Sequence, residues 1–398
     1  MKRILFLSFY FRPDLCAGSF RNSPLLDELS RQTMGKDIRI DLFSTMPNRY
    51  ASFKKEAKQL EEFGNVRVER IPLPEHKSGI IDQALSFRTY FFETLRKTKN
   101  TEYDLVYGSS SRFFTSYLAY RIAKKNDCPL YIDIRDIFSE TIGSISKNPL
   151  VRFVFVPFVK ILEKQVYNFA SHLNLISEGF NESFKEYSSA VISYYTHGID
   201  PLFLSKPAQQ KNQKRSDKKK ILYAGNVGEG QGLHQIIPEA AKKLEKTHEF
   251  EIIGDGGAID ILRSVLVEKD ISNVHLQKPI EREKLLKEYH SADILFLHLN
   301  NFDIFEKVLP SKIFELAVIG KPILAGVSGY AAHFLRIYVP HSYIFNPSDT
   351  AELVDIVVNR LESDQKESYT EEAKSFANNF NRDIINRQMV SSILNTLN

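Results

Sequence analysis

Lys312 and Glu315, a lysine and a glutamate three residues apart, are the side chains best placed for chemistry in this sequence. They lie in residues 307–321, which read KVLPSKIFELAVIGK and have Glu315 as the single acid in an apolar helical run. Pro310 and Ser311 form a helix start signal, so both charges should share one face near the helix N-terminus. A lysine there attracts phosphate, and a carboxylate one turn later can accept hydrogen bonds from a ribose diol. The alternative is an ordinary surface pair.

Two glycine-rich turns follow predicted strands in the second half of the chain. The first reads AGNVGEGQG and contains Gly225 and Asn226, and the second reads GDGG and contains Gly254 and Gly256. Glycines let backbone N–H groups approach a phosphate closely. Neither turn is a Walker loop or a regular dinucleotide fingerprint. Because tight strand-to-helix turns also use glycine for steric reasons, a structural role remains open.

The elements that must position these residues are alternating strands and helices. Apolar runs of strand length alternate with helical segments over residues 4–193, and the alternation restarts at residue 221. Residues 201–220 are polar and basic without periodicity, which is typical of a linker. We therefore predict an α/β protein with two Rossmann-like, doubly wound domains that face a cleft. Ligands bind such sheets at the carboxyl ends of the strands.

Composition narrows the class of protein. A chain of 398 residues with 43% hydrophobic and 26% charged residues is typical of a globular protein. No segment reaches the roughly 18 uninterrupted apolar residues that a spanning helix needs. Cys16 and Cys128 are the two cysteines, so we expect neither a disulfide framework nor a metal cluster, and a cytoplasmic location. The net charge of +4 comes without a nucleic-acid-binding motif, so we expect no nucleic-acid partner.

Short motifs occur in order along both halves of the chain. The second half contains LYAGN at 222–226, IGDGG at 253–257, SAD at 291–293, LPSKIFE at 309–315 and GKP at 320–322. The first half contains DIRDIF at 133–138, ISEGF at 176–180 and HGID at 197–200. Together they resemble the family 4 glycosyltransferases of GT-B fold, over essentially the whole chain. The resemblance is strongest to the bacterial branch that builds O-antigen and capsule chains, including N-acetylfucosamine transferases.

This resemblance implies a domain organisation. Residues 1–200 would form an acceptor-binding domain, 201–220 a basic linker, and 221–375 a nucleotide-sugar-binding domain. Residues 376–398 would form a C-terminal helix that packs back on the first domain.

The resemblance also implies roles for residues of the second half. Glu315 would be the second acid of the family's Glu-x7-Glu element and would hold the nucleotide ribose, with Ser311 beside it and Lys312 at the diphosphate. Eight positions earlier stands Lys307 in place of the expected acid. Asn226 and Gln231 replace cations that many members carry in the first glycine turn.

In the first half, Gly18 resembles the glycine of the first strand-to-helix loop that approaches the donor phosphates. Gly108 and Ser109 lie at another strand end. Arg135 and Asp136 resemble catalytic residues on the acceptor or sugar side, and the alternative for them is a structural ion pair.

The implied activity is that of a retaining glycosyltransferase. It would transfer a sugar from a nucleotide diphosphate donor, with UDP-HexNAc or UDP-deoxyHexNAc as the first expectation, to a polyprenyl-diphosphate-linked glycan in bacterial surface polysaccharide biosynthesis. We expect no metal and no other cofactor, since there is no Asp-x-Asp pair in the cleft loops. The alternatives are a GT-B nucleotide-sugar 2-epimerase and a non-catalytic sugar-nucleotide-binding scaffold of a glycan assembly complex.

One further segment suggests a membrane contact. Residues 150–169 are rich in aromatic and branched side chains and include Arg152, Lys160 and Lys164. They could form an interfacial helix on an anionic membrane, which would place the protein on the inner face of the cytoplasmic membrane. The alternative is an ordinary packed helix.

Overall fold

The computed structural model describes two compact units. The described residues are 1–48, 56–74, 80–110, 112–146, 148–187, 189–205, 217–361 and 369–397, with the backbone alone at 80–84. One unit comprises Met1–His197 and Asp383–Asn398, and the other comprises Gly198–Arg382.

The first unit contains an eight-stranded sheet in the order β3-β4-β2-β1-β5-β6-β7-β8. Its strands are β1 Lys2–Leu7, β2 Ile38–Thr45, β3 Leu60–Phe63, β4 Val66–Ile71, β5 Leu105–Ser109, β6 Leu130–Ile134, β7 His172–Leu175 and β8 Val191–Ser193. All neighbours pair in parallel except β3 and β4, which form an antiparallel edge that the sequence pattern did not predict.

Helices cover this sheet, so its central strands are apolar on both faces. They are α1 Ala17–Thr33, α2 Ile80–Thr98, α3 Phe113–Asn126, α4 Phe138–Ile145, α5 Val156–Phe169 and α6 Asn181–Phe184. A π-helical turn, Val151–Phe155, leads into α5. The last helix of the chain also packs here, because Met389, Val390 and Ile393 join the core around β1.

The second unit contains a six-stranded parallel sheet in the order β11-β10-β9-β12-β13-β14. Its strands are β9 Lys219–Asn226, β10 His248–Asp255, β11 Val274–Gln277, β12 Ile294–His298, β13 Ile323–Gly326 and β14 Ser342–Phe345. The strand order reverses between β9 and β12. This switch point is where open α/β sheets bind ligands, beyond the carboxyl ends of the strands.

The helices from residue 201 onwards are α7 Pro201–Leu204, α8 Leu233–Lys243, α9 Ile259–Glu268, α10 Arg282–Ser291, α11 Lys312–Leu316, α12 Gly329–Tyr338, α13 Thr350–Asp355, α14 Thr370–Asn379 and α15 Arg382–Leu397. Short 3-10 turns lie at Glu229–Gln231 and Asp303–Glu306, and a π-helical segment at Ile356–Leu361.

Several predicted boundaries differ from the observed ones. The predicted linker at 201–220 includes α7 and the start of β9, and its residues 206–216 lie outside the described residues. The helix predicted within 307–321 is only the five residues of α11, followed by a turn. The single C-terminal helix is two helices, α14 and α15, separated at Phe380 and Asn381.

Candidate functional site

Lys312 crosses the carboxyl end of β9, at the switch point of the second sheet. Gly225 makes this path possible, because a Cβ atom at that position would lie 3.0 Å from Lys312 Cε. The backbone of Gly225 has φ of +154°, a conformation that favours glycine. The Lys312 side chain therefore passes directly over the turn where the sequence predicted a phosphate site.

The ammonium group of Lys312 joins a small polar cluster with Tyr289 and Glu315. Its Nζ donates to Glu315 Oε2 over 3.3 Å and to the Tyr289 hydroxyl over 3.4 Å. The Tyr289 hydroxyl in turn donates to Glu315 Oε2, also over 3.4 Å. Tyr289 lies in α10 and is fully buried, so its hydroxyl holds Lys312 and Glu315 in a fixed position. Both bonds to Glu315 use Oε2, and neither uses Oε1.

Opposing effects set the charge of this cluster. Burial lowers the pKa of Lys312, but the Glu315 carboxylate and the nearby tyrosines raise that pKa by more. Burial also raises the pKa of Tyr289, which keeps its hydroxyl protonated. At neutral pH Lys312 therefore stays protonated beside β9, paired with the Glu315 carboxylate.

Two polar side chains of the first glycine turn, Asn226 and Gln231, bond to each other. Asn226 Nδ2 donates to Gln231 Oε1 over 2.6 Å, and the Gly228 N–H donates to the same oxygen over 3.3 Å. The Tyr223 hydroxyl donates to the Asn226 carbonyl over 2.6 Å. These bonds hold the turn in one shape.

Gly254 and Gly256 serve close packing of the two turns. A Cβ atom on Gly254 would lie 1.9 Å from the Gly225 carbonyl oxygen, and one on Gly256 would lie 2.6 Å from the Val227 oxygen. The β10 turn is thus pressed against the backbone of the β9 turn. For these two glycines the structure supports the steric explanation, whether or not they also contact a ligand.

His298, which the sequence did not predict as a site residue, joins the first glycine turn to the backbone at Ser348 through hydrogen bonds. Its Nδ1 lies 2.7 Å from the Gln231 carbonyl oxygen, and its Nε2 accepts from the Ser348 N–H over 3.0 Å. Because Nε2 accepts, Nδ1 carries the proton and donates. Burial lowers the pKa of His298 to about 4, which favours this neutral form. Asn300 adds a bond from Nδ2 to the Glu229 carbonyl.

The only signal for His298 in the sequence is its place at the end of the apolar run ILFLH. That position puts it at the carboxyl end of β12, which is the other strand of the switch point. A single histidine with no neighbouring motif gives no indication of which backbone groups it will reach.

Lys307 and Ser311 lie just before α11. Lys307 is half-buried and follows the 3-10 turn Asp303–Glu306. The helix begins directly after Ser311, as the start signal predicted, but Ser311 has helical backbone angles and makes no side-chain capping bond. With only five residues, α11 offers no helix N-terminal phosphate site of its own, and the charge there comes from Lys312.

The HGID motif forms a buried ionic cluster behind Tyr289. Asp200 Oδ2 accepts from Arg382 over 2.7 Å and also from Arg282. Burial raises the pKa of Asp200, but the two arginines lower it by more. Phe203 follows the motif, and its ring lies 5.9 Å from that of Tyr289. The motif thus buttresses α10, which carries Tyr289.

In the first unit, Arg135 and Asp136 follow β6 and keep polar atoms without partners. Arg135 donates its backbone N–H to Ser110 Oγ over 2.7 Å, while its Nε and Nη1 are buried without a hydrogen-bond partner. Asp136 Oδ1 is buried in the same way. Burial raises the pKa of Asp136 to about 6, with Arg135 and Arg112 opposing the rise.

The structural ion pair of this region uses Asp133, two residues before Arg135. Asp133 accepts two bonds from Arg21, over 2.6 and 2.8 Å, and a third from Asn174 over 2.7 Å. Both members of the Arg21–Asp133 pair are fully buried. Arg21–Asp133 is thus the hydrogen-bonded ion pair here, while Arg135 and Asp136 also attract each other electrostatically, so both roles predicted for them stay open.

Gly18 lies in the first turn of α1 and not in the preceding loop, which corrects the prediction. A Cβ atom there would lie 3.4 Å from Arg135 Nη1, so these two residues are neighbours. Gly108, in β5, allows α3 to pack closely, because a Cβ atom there would lie 2.7 Å from that of Ala119. The buried Ser109 Oγ has no hydrogen-bond partner.

The described residues lack two features. Within those ranges, no group of three or more histidine, cysteine, aspartate or glutamate side chains is arranged to hold a metal ion. Likewise, no helix in the described part of the chain is long and apolar enough to cross a membrane.

Comparison with known proteins connects the second unit to a family. Residues 205–380 match the family model described as Glycosyl transferases group 1. WcaI of Escherichia coli (strain K12), named as a colanic acid biosynthesis glycosyl transferase, is 29% identical over 104 residues. That alignment covers 26% of this chain and 25% of WcaI, so it spans about a quarter of the curated relative.

Two solved structures resemble nearly the whole chain. Sucrose-phosphate synthase from Thermosynechococcus elongatus has a TM-score of 0.77 and 13% identity, over 99% of both chains. HepE of Anabaena, solved in complex with UDP-glucose, has a TM-score of 0.68 and 14% identity, over 100% of both chains. At such identities the likeness concerns the fold, and the predicted GT-B fold is confirmed. The narrower N-acetylfucosamine transferase branch remains a prediction.

Proposed function

We propose that this protein is a retaining glycosyltransferase that uses a nucleotide-diphosphate sugar. The starting points are the match to the group 1 glycosyltransferase model and the GT-B fold. The observation that carries the proposal is the path of Lys312 over Gly225 to Glu315 and Tyr289. It puts a permanent cation and a carboxylate beside a glycine turn at the switch point of a parallel sheet.

The donor we propose is a UDP-sugar. HepE, which shares the fold, was solved with UDP-glucose, and this supports uracil as the base. Glu315 would accept hydrogen bonds from the ribose diol through Oε1, because its Oε2 is already bonded to Lys312 and Tyr289. The sugar would be a HexNAc or deoxyHexNAc, an expectation that rests on the sequence resemblance.

The main catalytic contribution would be electrostatic. As the bond between sugar and diphosphate breaks, negative charge develops on the leaving phosphate. Lys312 and the backbone N–H groups of the first glycine turn would stabilise it, with Lys307 and Ser311 nearby in the chain. The bonds among Asn226, Gln231 and Gly228 use the Gly228 N–H itself, and they hold the rest of the turn in place before the donor arrives, which reduces the reorganisation cost. We propose that no metal or other cofactor takes part.

The acceptor we propose is a polyprenyl-diphosphate-linked glycan at the cytoplasmic face of the membrane, in bacterial surface polysaccharide biosynthesis. The name of WcaI, which refers to colanic acid biosynthesis, supports a polysaccharide pathway. Arg135 and Asp136 would contact the acceptor or the transferred sugar, since both have buried polar atoms without protein partners.

Purified protein incubated with a panel of UDP- and GDP-sugars, with and without lipid-linked acceptor, tests the proposal. Acceptor-dependent nucleotide release is expected. Formation of an epimeric nucleotide sugar without acceptor would instead favour the 2-epimerase, and binding without turnover would favour the scaffold. Lys312→Ala should abolish most turnover, whereas the exposed Lys242→Ala on α8 is the matched control. Equal turnover in both variants would contradict the site assignment.

A further inference from the structure

An exposed apolar stripe runs along the helical segment that begins at Leu150 and includes α5. The side chains of this stripe are Leu150, Phe153, Val154, Phe158 and Ile161, and each is more than half exposed. Phe153, at 79%, is the most exposed of them. Their spacing of three or four residues places them on one side of the helical segment.

The opposite side of the same segment is apolar as well. Val159, Leu162 and Val166 are buried against the first unit. A helix that is apolar on both sides is normally enclosed, either in a protein core or in lipid. Here the inner side is enclosed by protein, and the outer side is covered by none of the described residues. Exposed apolar area of this kind marks a docking surface.

The charges on this segment identify the partner. Arg152, Lys160 and Lys164 are exposed, whereas the single acid, Glu163, is buried and accepts the Ser139 N–H over 3.0 Å. Lys164 Nζ lies 3.9 Å from Glu186 Oε2, and both side chains of this pair are well exposed. A stripe of aromatic and branched side chains flanked by cations matches an interfacial helix on anionic headgroups.

We infer that this stripe is a membrane-docking face that inserts into the headgroup region of an anionic bilayer. The phenylalanines and aliphatic side chains supply apolar burial, and Arg152 and Lys160 supply attraction to anionic lipid. The inference deepens the proposed function, because it names the surface that would meet a lipid-borne acceptor.

The docking face adjoins the acceptor residues through α4. Phe155, at the end of the π-helical turn, contacts Phe138 with a ring separation of 6.5 Å. Phe138 opens α4 only two residues after Asp136. Docking through this face would therefore bring the bilayer surface to the segment that we propose for the acceptor.

Co-sedimentation of the full chain with lipid vesicles tests the inference, without donor or acceptor. Vesicles of phosphatidylcholine with phosphatidylglycerol should bind the protein, and vesicles of phosphatidylcholine alone should bind it much more weakly. The Phe153→Ser/Phe158→Ser double variant should bind anionic vesicles at least about tenfold more weakly, because two aromatic side chains no longer enter lipid. Arg152→Gln/Lys160→Gln should reduce the preference for anionic lipid.

The matched control is Ile261→Ser/Val267→Ser, which removes two exposed apolar side chains from α9 of the other unit. It should bind like the unaltered protein. Equal binding by the phenylalanine double variant, or equal binding to both vesicle types, would overturn the inference. A dimer in solution that the double variant dissociates, without vesicle binding, would show that the stripe meets a second copy. Turnover of a soluble acceptor analogue tests the proposed function separately.

Discussion

Lys312 Cε lies so close to Gly225 that a single methyl group on the glycine would contact it at 3.0 Å. The space beside Gly225, near the end of β9, lets the lysine side chain cross the strand end on its way to Glu315 and Tyr289. The position of a cation in the second unit thus depends on a residue with no side chain, 87 positions earlier in the chain.

Gly225→Ala should impair donor binding. The alanine would strain a backbone at φ of +154°, at a cost of about 1–3 kcal/mol, and would displace Lys312. We expect KM for the donor to rise and kcat to fall, measured by nucleotide release. Gly257→Ala is the control from the neighbouring turn, since a Cβ atom there meets nothing within 4 Å. Matching kinetics in the two variants would contradict the role of Gly225.

Tyr289→Phe should loosen the Lys312–Glu315 pair without removing either charge. The variant loses one bond to each partner, and the ring remains to fill the core. We expect kcat/KM for the donor to fall about tenfold. Initial rates measure this loss, and donor-binding isotherms measure the accompanying change in affinity. Tyr90→Phe removes a buried hydroxyl bond in the first unit and should affect stability alone. An unchanged donor affinity in Tyr289→Phe would show that the hydroxyl only fills space.

His298 should make the protein less stable in acid. Its folded pKa of about 4 lies below its ordinary value of 6.5, so the unfolded chain takes up a proton first. The stabilisation is complete above about pH 6.5 and is lost as the pH falls towards 4, by about 3 kcal/mol in all.

Thermal unfolding of His298→Gln between pH 4 and 7 measures this effect. Its Tm should fall less steeply with acid than that of the unaltered protein, although its Tm at pH 7 is lower. His172, whose pKa burial also lowers to about 4, contributes a similar slope in the first unit and should remain visible. The exposed His275→Gln is the control, and parallel curves for all three proteins would disprove the assignment.

Asp200→Asn should destabilise the second unit strongly. The change leaves Arg382 and Arg282 without their shared carboxylate in a largely buried site, at a cost of about 3–5 kcal/mol. Urea denaturation followed by circular dichroism would measure the free energy of unfolding. Because the folded pKa of Asp200 is lowered, the native protein should also lose this stabilisation as the pH falls below about 4. Asp260→Asn, in an exposed pair with Arg263, should leave stability nearly unchanged.

Asp136 should give the reaction a pH dependence near 6. If its ionised form contacts the acceptor or sugar, kcat should rise with pH through the raised pKa of about 6 and level off above it. Asp136→Asn should lower kcat and remove that limb of the profile. Glu163→Gln, on the neighbouring helix α5, is the control for altered packing around Asp136, and it should keep the rise of kcat near pH 6. A limb that persists in Asp136→Asn would assign it to another group.

The sequence predicted the architecture well because strand and helix periodicity is local. Apolar runs located the central strands, and the order of motifs predicted the GT-B fold that the solved structures share. The antiparallel pair β3–β4 and helix α2 were not predicted, and for the pair the reason is that an edge hairpin carries little apolar signal.

The site was predictable in part. Lys312 and Glu315 were expected on one face, and they lie 3.3 Å apart because three residues separate them along the chain. Tyr289 and His298 gain the partners described above, and Asp200 gains Arg382, through tertiary packing over separations of 23 to 182 residues. Such contacts leave no local pattern. The glycines at 225, 254 and 256 were recognised, but their steric partners became evident only from the packed strands.

The return of α15 to the first sheet determines which pieces of this protein can be made separately. The second unit is one uninterrupted stretch, Gly198–Arg382, so a fragment of that stretch expressed alone contains every residue of the β9–β12 site. The first unit is not contiguous. A fragment ending at His197 would lack Met389, Val390 and Ile393 and would expose the apolar core that they cover. Its isolation requires residues 383–397 to be supplied as well, either fused through a short loop or added as a peptide.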